Sequence, residues 1–156
     1  MGFNYSIQEI GKKLRICIVI LYKNDLLLIK NNVGERSISH KLAEYLQVQF
    51  LDWNVDCGYY RMYHQIKVLE GIHECSEQRA IDRIFPDIIV QERNTDKNLA
   101  LIEIKTNVAD YCDIKKFEKL TSTKGKLSYK FGYFIRFSKE REMYFIRRFQ
   151  DGREVS

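Results

Sequence analysis

The amino-acid sequence predicts an α/β domain in which helices flank a small mixed sheet. Three observations carry that expectation. Residues 35–46 place Ile38, Leu42, Tyr45 and Leu46 on one helical stripe. Residues 87–105 read as two strands joined by a polar turn, and residues 131–149 as a second hairpin of alternating aromatic and polar side chains. At 156 residues the chain is most economically one domain, 1–156, long enough to bury a sizeable core. Its 45% hydrophobic and 30% charged residues suit an ordinary globular protein, and one proline with eight glycines leaves no linker composition.

Along the chain, residues 7–30 carry Ile10, Leu14, Cys17, Ile18, Leu21, Leu26 and Leu28. The earlier part fits helical spacing, and a break is expected around Asn24-Asp25. The helix over 35–46 follows, with Glu35 in its first turn, where the helix dipole favours a carboxylate. Residues 53–61 are rich in aromatic and β-branched types and read as a strand. Residues 62–82 are polar, mixed and the least readable segment. After the first hairpin, residues 110–120 form a short helix with Ile114, Phe117 and Leu120 inward and Lys115, Lys116 and Lys119 clustered outward. The strands 131–137 and 142–149 close the chain around Ser138-Lys139-Glu140-Arg141.

The charge balance, 26 Lys and Arg against 21 Asp and Glu, gives a net charge of +5. That favours a polyanionic partner such as nucleic acid, although solubility alone also accounts for it. Cys17, Cys57, Cys75 and Cys112 lack any C-x-x-C spacing, and Lys23, Asn24 and Asp25 interrupt the one long apolar run. Free thiols, a cytoplasmic setting and no membrane span are therefore expected.

The chemistry concentrates in Phe85 to Lys105. Pro86-Asp87-Ile88-Ile89-Val90 leads into the polar cluster Asn94 to Asn98, and Leu99-Ala100-Leu101-Ile102-Glu103-Ile104-Lys105 returns. Folded symmetrically about Thr95, the hairpin sets Asp87 opposite Glu103, and the side-chain period of two adds Lys105 to their face. A carboxylate within so apolar a strand needs compensation, and a second acid opposite it sharpens the need. A divalent cation supplies it, and hard oxygen ligands point to Mg²⁺ or Mn²⁺. The plainer alternative for a Glu-x-Lys spacing is an exposed ion pair on an edge strand.

Pro86-Asp87 followed by Glu103-Ile104-Lys105 resembles the signature of the PD-(D/E)xK nuclease superfamily. Residues 35–46 are similar to the first-helix motif of a small single-domain bacterial family within it, and Val55 to Arg61 to its following strand. The match covers roughly residues 30–137, with Gly58 standing where an acid is usual and Tyr60 where Asn is usual. The resemblance implies a restriction-endonuclease-like fold: a central four-stranded mixed sheet flanked by helices, here with a C-terminal hairpin added. It implies a metal-dependent nuclease acting on DNA, with Asp87, Glu103, Glu35 and the Ile104 carbonyl as metal ligands. Lys105 would position or deprotonate the attacking water and stabilise charge on the phosphate. A nuclease-fold binding module without turnover is the alternative.

For substrate contacts, Lys115, Lys116 and Lys119 read equally as a solvated helix face or as phosphate ligands. His40 lies about 140° around the helix from Glu35 and reads as a phosphate contact or a hydrogen bond to a neighbour. The spacing of His64, His73 and Cys75 matches no structural zinc site. Arginines 136, 141, 147 and 148, interleaved with aromatics, are further candidates to track a phosphate backbone. So small a domain would need a homodimer or partner protein to read sequence.

Overall fold

The structure, a computed structural model, describes residues 4–31, 34–57, 61–62, 65–66, 86–109, 111–125, 128–140 and 142–156. Helix α1 (Ile7–Lys30) starts at a reciprocal cap: the Glu9 N–H donates to Ser6 Oγ at 3.1 Å, and the Ser6 N–H donates to Glu9 Oε2 at 2.7 Å. Ile7, Ile10, Leu14, Cys17, Ile18 and Leu21 recur at three- and four-residue spacing and are all buried. The break expected at Asn24-Asp25 is a kink and not an end. Asp25 takes φ −131° and ψ 28°, and its carboxylate accepts the hydroxyl of Tyr45 from the next helix.

That helix, α2 (Glu35–Gln49), runs three residues beyond the expected 35–46. Gly34 sets its entry, with φ +100° and ψ 150°, a region that side-chain-bearing residues rarely adopt. Of the expected strand over 53–61, β1 covers Asn54–Cys57, and residues 58–60 lie outside the described residues. Arg61–Met62 (β2) and Gln65–Ile66 (β3) form a separate two-stranded pair. His64, His73 and Cys75 also lie outside the described residues.

The remaining strands are β4 (Ile88–Gln91), β5 (Asn98–Lys105), β6 (Phe131–Phe137), β7 (Tyr144–Gln150) and β8 (Arg153–Val155), with helix α3 (Tyr111–Leu120) between β5 and β6. They form one six-stranded sheet in the order β1-β4-β5-β6-β7-β8. The expected four-stranded mixed sheet with a C-terminal hairpin corresponds roughly to this six-stranded mixed sheet. The terminal hairpin continues the central sheet, because Phe131 to Phe137 bond to β5 on one side and to β7 on the other. Among the described strands only β5 and β6 run parallel, joined by a crossover through α3, and the other neighbouring pairs are antiparallel.

Alternation along the strands divides the core between two faces. Ile88, Val90, Ala100, Ile102, Ile104, Tyr133 and Ile135 pack with α1 and α2. Ile89, Leu101, Phe134 and Phe149 pack with Phe117 and Leu120 of α3. Gly132 permits the second contact, since a Cβ there would stand 2.6 Å from the Phe117 ring. Among the described residues no helix is long and apolar enough to cross a membrane.

Candidate functional site

The β4–β5 hairpin pairs Ile88 with Ile102, Ile89 with Leu101 and Val90 with Ala100, the symmetric register about Thr95. A one-residue shift follows at Gln91, which pairs with Asn98. Extending the register one step sets Asp87 opposite Glu103, and the contacts agree. The Asp87 N–H donates to Glu103 Oε2 at 3.2 Å, and the Ile104 N–H donates to Asp87 Oδ2 at 2.7 Å. Since a strand residue directs its N–H and carbonyl to the same edge, the Ile104 carbonyl also leaves β5 on the Asp87 side.

By the same alternation, Asp87, Glu103 and Lys105 share the face of Ile89 and Leu101, the one α3 covers. Two ion pairs to α3 mark it. Lys116 Nζ binds Glu103 Oε1, with both side chains largely buried, and Lys105 Nζ lies 3.9 Å from Asp113 Oδ1. Glu35 arrives from the opposite face. Gly34 turns the chain so that the first turn of α2 meets the end of β5, where Glu35 Oε1 accepts the Thr106 N–H at 3.1 Å. Thus residues 71 apart in sequence are joined at one end of the sheet.

The electrostatics follow from this crowding. Burial, then the Glu103 carboxylate, push Asp87 up to about 6, with Glu35 adding to the rise; the Ile104 N–H and Lys116 pull the other way. For Lys105, burial opposes the charge, but the carboxylates of Asp113, Glu103, Glu35 and Asp87 outweigh it and raise the ammonium above its ordinary value.

The basic residues of α3 divide. Lys116 does not stand outward with Lys115 and Lys119 but turns under the helix to Glu103, which corrects the expected three-lysine face. Lys115 pairs with Glu118 at 2.8 Å and lies over the Tyr111 ring, and Lys119 is partly buried. His40 is on the exposed side of α2, its Nε2 3.1 Å from Glu44 Oε1. The sequence reading did not identify Asp113 and Thr106, whose parts depend on tertiary contacts.

Among the described residues, no three carboxylate, histidine or cysteine side chains converge closely enough to hold a metal ion as they stand. The donor chemistry of Asp87 and Glu103 nevertheless suits a hard divalent cation. Both offer carboxylate oxygens at adjoining positions, with Glu103 Oε2 already against the Asp87 N–H. Lys116 supplies part of that compensation, so a cation shared by both acids would have to displace its ammonium from Glu103. No protein-family model matches the chain, and comparison with curated proteins finds none similar to it.

Proposed function

We propose that the protein is a divalent-metal-dependent nuclease of the PD-(D/E)xK superfamily, with the restriction-endonuclease-like fold, hydrolysing phosphodiester bonds in DNA. The supporting observation is the registered trio at the end of β5: Asp87 bonded to Glu103 and Ile104, with Lys105 on the same face. Asp87 and Glu103 would hold Mg²⁺ or Mn²⁺, and the Ile104 carbonyl and Glu35 would complete its shell. Bound there, the ion would supply Lewis acidity to the phosphoryl group and acidify a water molecule. Lys105, kept protonated by the carboxylates around it, would orient the attacking water and stabilise charge on the phosphate instead of removing a proton. Lys116, once released from Glu103, would meet the same phosphate. Lys115 and Lys119 would track the neighbouring backbone, whereas His40 pairs with Glu44 on the exposed side of α2.

Cleavage of plasmid and single-stranded DNA in Mg²⁺ or Mn²⁺ tests this reading. Asp87→Ala and Lys105→Ala should each abolish it, and cleavage that survives both substitutions would overturn the assignment. One observation favours a second reading, a binding module of the same fold without turnover: Lys116 already neutralises Glu103. Calorimetric titration with Mn²⁺ separates the two. Absence of binding, or binding indifferent to Glu103→Gln, would favour the module.

A further inference from the structure

Beside the acids, the same end of the sheet carries a feature that the hydrolytic reading does not use. Lys105 pairs in register with Arg136 of β6, and Arg136 with Phe145 of β7, so the three form a cross-strand row on the α3 face. Two strand spacings, about 10 Å, separate β5 from β7. Phe145 is 45% exposed, although its neighbours in β7 are mostly covered. The Arg136 guanidinium lies 4.5 Å from the centroid of its ring and meets no carboxylate among the described residues. In β7, residues 144–147 have no partner on their outer edge among the described strands, because β8 pairs only with Arg148, Phe149 and Gln150.

A cavity of about 260 Å³ opens at this row, lined by Thr106, Arg136, Ser138, Lys139, Glu140 and Phe145 among others. Thr106 is also the residue that holds Glu35, so the cavity adjoins the acidic site. A flat ring, a planar cation lying on it, a further ammonium and polar groups at the rim together match the parts of a nucleotide. The ring and guanidinium offer stacking surfaces for a base, Arg136 and Lys139 offer charge to phosphate, and Ser138 and Glu140 offer hydrogen bonds to base edges. A base inside a duplex has no free face to stack, so this surface selects an unpaired one.

We infer that the Arg136–Phe145 row binds an unpaired nucleotide of single-stranded nucleic acid and so delivers the adjoining phosphodiester to the acids. The inference rests on the nuclease reading for its purpose, but binding can be measured without metal or cleavage. Fluorescence anisotropy in EDTA would compare a labelled single-stranded DNA with its duplex and with the matching RNA strand. The unaltered protein should prefer either single strand over the duplex, and the two single strands together show which sugar it favours. Phe145→Ala should weaken single-strand binding about tenfold or more, and Phe145→Trp should retain it. Arg136→Gln should weaken it and reduce its salt dependence by about one phosphate contact.

Equal affinity for single strand and duplex, or single-strand binding unchanged in Phe145→Ala, would overturn the inference. Failure of the unaltered protein to bind any oligonucleotide would do the same. Mn²⁺ binding to the unaltered protein reads the acids separately. Its absence, with single-strand binding intact, would overturn the metal reading and leave this one standing.

Discussion

Among the described residues, helices of 24 and 15 residues cover the strands on one face of the sheet, whereas the other carries a helix of ten. Under α1 and α2 the contacts are apolar through to Ile104 and Phe137, near the strand ends. Under α3 the apolar packing stops at Leu101 and Phe134, and Glu103 and Lys105 extend past it. Among the described residues, the shorter cover leaves ionisable groups at the strand ends of the second face. There the fold holds a cluster whose charges are only partly balanced, while the longer face supports the sheet that aims them.

The largest expected effect breaks this contrast at its charged point. Glu103→Leu strands the Lys116 ammonium under α3 and should cost about 3–5 kcal/mol in urea denaturation, the loss typical when one partner leaves a buried ion pair. Adding Lys116→Met makes the α3 face apolar at the same point, like its opposite, and should recover most of that loss. A double variant no more stable than Glu103→Leu alone would show that the pair is not what links α3 to β5.

A smaller effect is expected where α3 touches the sheet most closely. Gly132→Ala places a methyl group within 2.6 Å of the buried Phe117 ring, so α3 must lift or the ring must turn. Overpacking of this kind should cost about 1–3 kcal/mol in thermal or urea unfolding. The α1–α2 face should keep its protection from hydrogen exchange while amides under α3 lose theirs.

The smallest concerns protons. Asp87 has its folded pKa raised to about 6 from an ordinary 3.8, so between those values the folded chain holds a proton that the unfolded chain has lost. The stability contributed by this group is present below about pH 4 and is lost as pH rises through about 6. Asp87→Asn should flatten that part of the stability profile, and Mg²⁺ should raise the melting temperature of the unaltered protein more at pH 7 than at pH 5. A profile identical in Asp87→Asn would remove Asp87 as its source.

The legible parts of the molecule were those governed by local chemistry. The hairpin register could be read because the polar cluster Asn94 to Asn98 fixes a turn and the apolar runs on either side match in length. The shift at Gln91 could not, since nothing in its neighbours marks an extra residue. Strand β8 escaped notice despite an explicit signal: Asp151 and Gly152 both take positive φ, as an Asp-Gly hairpin turn requires. Helical periodicity places Lys116 on the flank of the Phe117 stripe, outward with Lys115 and Lys119. A long side chain on a flank can fold beneath the helix when a buried acid waits there. The meeting of Glu35 with Thr106 depends on how α2 docks, which no local pattern encodes.

The parallel pairing of β5 with β6 also bears on the order of assembly. The β4–β5 hairpin closes through a short turn, a step that takes microseconds in an isolated chain, whereas β6 must wait for the crossover through α3. Asp87 and Glu103 are therefore brought opposite each other by a local closure, whereas Lys116 reaches Glu103 only through the docking of α3.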